Sequence, residues 1–490
     1  MQADLLIRNV TVRGHGAVDV AIDDGRITAI CPRLSVAARV VLEGHGGALL
    51  PGLHDHHIHL LGAAAQLDSV VLTGVGSAAA VAARIRERAH RIRTAWVGPP
   101  VGVRGEDGPP VASAWVRATG YDEDMAGPLA KETLDQWLPD VPLRVQYHTG
   151  SLWVFNTRGL SEIAAVSGPD TPLERDAAGE PTGRLWDGDA WLKTCLPTQL
   201  PPLAALGRQL AAAGVTALTD ASAGTGADEA ALLARAHACG DLPQHLHLMS
   251  RGPLVAPADG AYAVGPVKIM LHEARLPDFD DIVLAVRQAR AWNRRVAFHC
   301  ATPTELSLAL AVLDVAGTLD GDRIEHGSII DDASAAVLAE RSLTVVTQPA
   351  FIEERGDAYL ARVDAGDIDN LYRCAGLLRS GVRVAGSSDA PYAEPDPWTA
   401  IRAASRRRTR SGHLLGGAEI VAPQTALNMF LGSPEDPGGT PRVVAVGADA
   451  DLCMLKVPLH VALADPHRRW VAATVIAGRP AFVDARCATM

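Results

Sequence analysis

A run of short apolar segments that alternate with alanine-rich segments constrains the fold most. The apolar segments have the length and the Val, Ile and Leu content of buried strands, and the alanine-rich ones have the length of helices. Repeated strand–helix units predict a parallel sheet. Because eight is the strand number of a closed barrel, we predict an α/β fold with a (β/α)8 TIM-like barrel. The candidate strands are residues 53–60, 215–220, 245–250, 267–271, 296–300, 323–327, 343–348 and 382–388, and the candidate outer helices are residues 78–92, 202–213, 281–292 and 306–316.

Both ends of the chain have the alternating polar and apolar pattern of half-buried strands. An Asp23-Asp24-Gly25 turn between two such runs predicts a hairpin near the start. The predicted terminal strands are residues 4–12, 17–30, 443–446, 451–455 and 472–483. We therefore expect residues 1–52 and 424–490 to build one small β-sandwich beside a barrel domain at residues 53–423.

Residues from about 96 to 200 do not follow the strand–helix alternation. This stretch is rich in Gly, Pro and Trp. We interpret it as an insertion after the first barrel strand. A loop-rich insertion on the upper face of a barrel is expected to cover the active site.

Composition excludes several classes of function. The net charge of −11 argues against a nucleic-acid partner, because phosphate binding needs clustered Lys and Arg. No apolar run reaches the ~20 residues that span a bilayer, and the N-terminus lacks a signal-peptide pattern. The seven cysteines include no CxxC pair, which suits a reducing compartment. We expect a cytoplasmic protein whose partner is a small molecule. The apolar helices could also support a homodimer.

The sharpest segment is Pro51-Gly52-Leu53-His54-Asp55-His56-His57-Ile58-His59. A strand period of two places Asp55, His57 and His59 on one face and His54 and His56 on the other. A single His-x-His pair is weak evidence for a metal site, since chance predicts roughly 0.6 such pairs at this composition. Three occur, and the pair at residues 245–247 lies at the start of its strand, away from the carboxyl end where barrel sites form.

Other potential ligands follow later strands of the predicted barrel. Lys268, His299, His326 and Asp389 all lie on strands or just beyond their carboxyl ends. A lone histidine of this kind is more often a core residue, but this set on separate strands is hard to produce by chance. We predict a metal site here, and we expect Glu325, which points away from the barrel axis, to support a ligand or the structure.

The chain resembles the metal-dependent amidohydrolase superfamily, and within it the amidohydrolase 3 or YtcJ-like branch. The similarity runs almost from end to end. The metal motif is highly specific for the superfamily, whereas the branch assignment is moderately specific. The segments that carry the resemblance are PGLHDHHIH, GVTALTDA, VTQPAF, GSSDAPYAEPDPW and GADADLCML, with WVRATGYDED, GSLWVFN and AAGEPTG inside the insertion.

The resemblance implies which residues bind each of two metal ions. His57 and His59 would bind the deeper metal, and His299 and His326 the outer one. Asp389 would bind the deeper metal and hold the nucleophilic water as general base, later returning the proton to the leaving nitrogen. Imidazole and carboxylate suit a zinc-like divalent ion, which brings the pKa of a bound water to about 7.

Lys268 takes the bridging position, where the family typically carries a carboxylated lysine. Carboxylation would supply the anion that holds two cations close together. The alternative is an ordinary amine paired with an acid, which would leave one metal per chain on His57, His59, His299 and Asp389.

Two departures from the branch pattern bear on substrate. His272-Glu273 stands where the branch usually has Asp-Gly, and Gly150-Ser151 where it often has a histidine after the glycine. His272 lies on the face of Lys268 and could contact substrate or fill the rim. Further candidates for the pocket are Trp153, Gln348 and Phe351, although an aromatic residue near the rim is as often part of the core as of a binding site.

We therefore expect a hydrolase of carbon–nitrogen bonds other than peptide bonds, acting on an amide, N-formyl, carbamate or cyclic amide-like compound. A mononuclear deaminase of the same superfamily is the alternative within enzymes. An inactive barrel that serves as a binding module is the alternative of another class. The sequence does not name the substrate.

Overall fold

A computed structural model describes residues 2–95, 115–167, 171–196 and 201–487. The chain divides into two compact units, Met1–Ala63 with Leu203–Met490 and Ala64–Pro202. The strands are β1 (Ala3–Val12), β2 (Gly16–Asp23), β3 (Arg26–Cys31), β4 (Ala38–Glu43), β5 (Leu49–Pro51), β6 (Leu53–Ile58), β7 (Val70–Val71), β8 (Val116–Tyr121), β9 (Leu143–Tyr147), β10 (Leu152–Phe155), β11 (Arg184–Trp186), β12 (Val215–Asp220), β13 (His245–Ser250), β14 (Ala263–Ile269), β15 (Val296–Cys300), β16 (Arg323–His326), β17 (Thr344–Thr347), β18 (Arg383–Gly386), β19 (Leu452–Leu455), β20 (Val471–Ile476) and β21 (Arg479–Val483).

Helices follow most barrel strands and also occupy the second unit. They are α1 (Leu60–Leu67), α2 (Ala78–Ala95), α3 (Glu123–Ala126), α4 (Lys131–Trp137), α5 (Thr157–Ser167), α6 (Asp189–Cys195), α7 (Leu203–Ala212), α8 (Ala227–Ala238), α9 (Phe279–Ala291), α10 (Pro303–Ala316), α11 (Asp332–Glu340), α12 (Ala350–Arg362), α13 (Ala375–Arg379), α14 (Pro397–Arg406), α15 (Pro423–Asn428) and α16 (Leu459–Ala464). Across the described residues, no helix combines the length and apolar character needed to cross a lipid bilayer.

The larger unit contains the predicted barrel. Eight strands pair side by side in the order β6-β12-β13-β14-β15-β16-β17-β18, and every pairing is parallel. Backbone hydrogen bonds from Asp389 N to His57 O and from His59 N to Ala390 O, both 2.8 Å long, join the two ends of the sheet. The prediction of the eight strands is confirmed, with β14 beginning earlier than expected because its first residues extend the pairing with β13.

Local chemistry sets where the barrel helices begin. Helix α10, which follows β15, starts after Thr302, whose side chain accepts from the backbone N–H of Glu305 while the Glu305 carboxylate accepts from Thr302 N. Pro303 occupies the first turn, where its missing N–H costs nothing. Gly317 ends the helix with a φ of 86°. The carboxyl end of β15 is thereby held at the top of the barrel.

The two chain termini build one β-sandwich, as predicted. One sheet has the order β3-β2-β1-β4 and the other the order β21-β20-β19-β5. Leu5, Ile7, Leu452 and Val475 belong to a single buried cluster that the two sheets share. The β2–β3 hairpin turns at Asp24 and Gly25, with φ values of 47° and 72°, a conformation that glycine adopts without strain.

The smaller unit corresponds to the predicted insertion but begins earlier. It contains a five-stranded sheet of order β11-β10-β9-β8-β7, and it starts at Ala64 and not near residue 96. Helix α2, assigned from the sequence to the outer ring of the barrel, belongs to this unit: Val81 and Ile85 pack with Val116. That assignment was wrong because a 3.6-residue apolar period identifies a helix face but not the sheet that it covers. Residues 96–114, where the insertion was predicted to start, lie outside the described residues.

Candidate metal centre

Three predicted ligands converge at the carboxyl ends of β6 and β18. His57 Nε2 and His59 Nε2 lie 3.4 Å and 3.3 Å from Asp389 Oδ1. One potential ligand atom from each of the three residues lies within 4.8 Å of the other two. The backbone of Asp389 has a φ of 56°, a left-handed conformation that costs free energy for a side chain with a Cβ. The surrounding barrel thus holds this carboxylate in a strained position that faces both imidazoles.

The other two predicted histidines border the same cluster. The ring of His326 lies 4.8 Å from that of His57 and 4.5 Å from that of His299, measured between centroids. His326 Nδ1 is 3.8 Å from Asp389 Oδ2. The structure therefore brings together the four histidines and the aspartate that the sequence analysis selected from four different strands.

Glu325 and Arg323 fix the tautomer of His57. The Glu325 carboxylate accepts a hydrogen bond from His57 Nδ1, and Arg323 donates to the same carboxylate from Nε and Nη2. Arg323 Nη2 also donates to His56 O at 2.6 Å. Because the proton of His57 lies on Nδ1, the Nε2 lone pair faces Asp389 and is available to a cation. Glu325 thus holds the imidazole of His57 in place.

His59 and His326 are oriented through their Nδ1 atoms as well. His59 Nδ1 lies 3.1 Å from Ser222 Oγ, and His326 Nδ1 lies 3.0 Å from Gln348 Oε1. Gln348 Nε2 donates to Ser387 Oγ at 3.0 Å, so Oε1 is the atom that accepts from His326. The sequence analysis missed Ser222, whose only signal was its position two residues after Asp220 at the end of β12.

Burial gives the cluster the protonation states that a metal site requires. It lowers the pKa of His57 to about 3 and the pKa of His299 well below its usual value. Burial alone would raise the pKa of Asp389, but the contact with His59 at 3.3 Å and the nearby rings of His57 and His326 outweigh it and lower the pKa. Neutral imidazoles beside an ionised carboxylate are the forms that bind divalent cations.

The residues present fit a metal ion. Among the described residues, His57 Nε2, Asp389 Oδ1 and Lys268 Nζ are buried side-chain atoms without a hydrogen-bond partner. An unsatisfied buried polar atom costs about 1–3 kcal/mol, and more for a charged group. A cation between the first two atoms would remove both penalties at once. The donor set of imidazole and carboxylate suits zinc and similar ions.

Lys268 lies on β14 and is completely buried. Burial lowers its pKa, although the carboxylates of Glu325 and Asp389 act in the opposite direction. The lowered pKa favours a neutral amine. This amine is therefore more readily deprotonated than that of an ordinary surface lysine.

The neighbouring residues of the same motif have other partners. Asp55 accepts hydrogen bonds from Ser388 N at 2.9 Å and Ser388 Oγ at 2.5 Å, directly before Asp389. His54 and His56 stack on one another with centroids 4.1 Å apart. The structure thus separates the histidines of the motif into the two pairs that the strand period predicted. The pair at residues 245–247 is placed at the other end of the barrel, where His245 Nε2 lies 3.0 Å from Asp451 Oδ1.

The four residues selected from the sequence for substrate binding have unlike surroundings. His272 is exposed, and its ring lies 5.2 Å from that of His299. Gln348 is completely buried and orients His326, so it is a positioning residue. Trp153 is 2% exposed in a core cluster of the smaller unit, where its Nε1 donates to Asp189 at 2.9 Å. Phe351 is 3% exposed and packs edge-on against Tyr372.

Comparison with known proteins places this geometry in a family. Residues 41–482 match the Amidohydrolase family. The chain is 23% identical to the protein named putative amidohydrolase YtcJ of Bacillus subtilis (strain 168), over 89% of each chain. It is 24% identical to N-substituted formamide deformylase of Arthrobacter pascens, over 88% of each chain.

A solved structure supports the same fold. An uncharacterized metal-dependent hydrolase from Pyrococcus horikoshii OT3 superposes with a TM-score of 0.68 at 16% identity, covering 92% of this chain and 97% of that one. The family match spans the strands that carry His57, His59, Lys268, His299 and Asp389. The chain therefore belongs to the amidohydrolase family, in its YtcJ-like branch.

Proposed function

We propose that this hydrolase cleaves a carbon–nitrogen bond of the amide or N-formyl type in a small molecule, with a divalent metal at the His57–His59–Asp389 cluster. One observation carries the proposal. Two imidazole nitrogens and a carboxylate oxygen converge within 4.8 Å, and two of these buried atoms, His57 Nε2 and Asp389 Oδ1, have no hydrogen-bond partner among the described residues.

The residues of the chain would divide the chemistry between them. A divalent metal supplies Lewis acidity, which polarises a carbonyl oxygen and lowers the pKa of water to ~7. Asp389 is ionised and can accept a proton from the attacking water at one oxygen. Donating that proton to the leaving nitrogen would complete hydrolysis and regenerate the carboxylate. Glu325 and Gln348 hold the imidazoles in place and do not touch the reacting atoms.

Lys268 is the residue that decides between one metal and two. A neutral buried amine reacts with carbon dioxide to give a carbamate and a proton, and the resulting anion could bridge two cations. The lowered pKa of Lys268 and its lack of a partner within the described structure support this proposal. If Lys268 stays an amine, one metal remains, and a mononuclear deaminase becomes the second candidate function.

N-formyl compounds are the first substrates to test, because one relative is named N-substituted formamide deformylase. The experiment measures release of the free amine, together with formate from N-formyl compounds and the corresponding carboxylic acid from other N-acyl compounds, by the protein loaded with zinc, manganese or cobalt. Asp389→Asn preserves shape but removes the proton acceptor, and we expect it to lower kcat by at least about 10²-fold.

The matched control is Asp281→Asn, which makes the same change on the exposed face of α9. It is expected to keep wild-type turnover. Undiminished turnover in Asp389→Asn would contradict the proposed mechanism. Release of ammonia without formation of a carboxylate would instead select the deaminase.

A further inference from the structure

Arg355 lies on α12, the helix that follows barrel strand β17. Its guanidinium carbon lies 4.2 Å from the centre of the buried Phe351 ring, so the ring forms a flat base under the cation. Arg355 Nη2 donates to the backbone oxygen of Tyr392 at 2.5 Å. The side chain is partly exposed. These two contacts hold the guanidinium in one orientation while leaving an edge open.

The contact with Tyr392 places Arg355 beside the metal cluster. Tyr392 N donates to Asp389 O at 2.8 Å, and the Tyr392 ring lies 5.8 Å from the ring of His59. Three residues of chain span at most about 11 Å. The guanidinium therefore contacts the same turn of the backbone that carries Asp389.

Two tyrosines lie next to Arg355, and we call Arg355, Phe351 and these two tyrosines the wall of the site. The hydroxyl groups of Tyr359 and Tyr372 lie 3.2 Å apart. Burial raises the pKa of both, so both hydroxyl groups stay protonated and can donate. A hydrogen bond between Arg355 and Tyr359 adds to the pair. Tyr372 N donates to Ser328 O at 2.8 Å, which ties the wall to the loop after His326.

Arg355 has no counter-ion within the part of the chain that the structure describes, as no carboxylate forms an ion pair with it. Burial raises the pKa of the adjacent Glu354 to about 7, and one of its oxygens accepts from Glu394 N. By contrast, the half-buried Arg402 donates twice to the carboxylate of Glu353. A guanidinium carries five N–H donors. Those of Arg355 reach Tyr392 O and the Tyr359 hydroxyl group, and the half-buried side chain has further N–H groups that a ligand could use.

We propose that Arg355, with the hydroxyl group of Tyr359, binds a carboxylate of the substrate, so that the natural substrate is an N-acyl or N-formyl compound with a carboxylate near the scissile bond. A planar carboxylate matches the open edge of a guanidinium and can accept two parallel hydrogen bonds. The inference rests on the proposed function, which it narrows to one substrate class.

The first test compares paired ligands that differ only in this charge. Binding of N-acetylphenylalanine and of N-acetylphenylalanine amide is measured by titration calorimetry on Asp389→Asn protein, in which turnover is suppressed. We expect the carboxylate to bind at least about tenfold more tightly, and Arg355→Met to remove that preference. Arg355→Lys should keep part of it, because lysine retains the charge without the fork.

Arg287→Met makes the same substitution at an exposed position of α9 and should leave the preference unchanged. Equal affinity for acid and amide in protein with wild-type Arg355 would overturn the inference. So would an unchanged preference in a folded Arg355→Met variant.

A second test separates the inference from the proposed function. The ratio of kcat/KM for N-formylphenylalanine to that for its amide is measured in protein with wild-type Arg355 and in Arg355→Met. A high ratio that falls at least about tenfold in the variant supports the inference. If the amide is cleaved as fast as the acid, the inference fails while the hydrolase proposal stands. If the acid binds with the expected preference but no C–N bond is cleaved in any compound, the proposed function fails while the carboxylate site stands.

Discussion

Replacing Glu325 by Gln tests how the metal site is supported. The amide keeps the size of the side chain but removes the charge that faces both His57 and Arg323. All three side chains are buried, so Arg323 would lose its compensating carboxylate. Breaking a buried ion pair by removing one partner costs about 3–5 kcal/mol, a large part of a typical total of 5–15 kcal/mol. Loss of the carboxylate behind a ligating histidine typically weakens metal binding by about 10–100-fold.

These two effects can be measured separately. Metal affinity is determined by competition with a chromophoric chelator, and the free energy of unfolding by denaturant titration of the metal-free protein. Glu419→Gln is the matched control, because Glu419 is buried and paired with Arg373 away from the metal cluster. We expect Glu419→Gln to lower stability but not metal affinity. An unchanged metal affinity in folded Glu325→Gln protein would refute the reasoning.

Three further predictions follow from particular contacts. Gln348→Leu removes the acceptor for His326 Nδ1, and we expect metal affinity to fall by about tenfold in the chelator assay; unchanged affinity would remove Gln348 from the site. Burial depresses the pKa of His57 to about 3 and of His247 to about 4, so the unfolded state binds more protons between these values and the usual 6.5. The stability of metal-free protein should therefore be complete above pH 6.5 and fall by up to about 1.4 kcal/mol per pH unit for each histidine below it. Denaturant midpoints that are flat from pH 7.5 to 5 would contradict this. Gly25→Ala places a Cβ 3.3 Å from Ala477 O at a φ of 72°, and we expect a loss of about 1 kcal/mol in thermal unfolding; a gain in stability would show that the turn relaxes.

The barrel could be predicted because each strand is an apolar run bounded by turn residues. The strands also lie side by side in the order in which they occur along the chain. The convergence of His57 and His59 could be predicted because the strand period fixes which side chains share a face. The boundary of the smaller unit could not, since α2 has the same apolar period whichever sheet it covers. Local pattern therefore determines elements, whereas their partners depend on tertiary packing.

The residues that support the ligands were harder to predict for the same reason. Gln348 ends a strand, where a side chain can point to the mouth or to its neighbour, and only the position of His326 decides this. Phe351 is an aromatic near the rim in the sequence, but it underlies Arg355 in the structure. Arg355 carried no sequence signal, because its lack of a counter-ion becomes visible only when the surrounding helices and loops are in place.

Metal content per chain is the measurement that tests the central claim most directly. Protein purified without chelators is analysed by elemental mass spectrometry, with and without bicarbonate, beside His57→Asn, Lys268→Ala and the control Asp281→Asn. We predict at least one divalent metal per chain in the wild type and the control and a loss in His57→Asn. A fall from near two metals to near one in Lys268→Ala would support the carboxylated lysine, and an unchanged single metal would support the mononuclear site. Folded wild-type protein that binds no divalent metal would contradict the account.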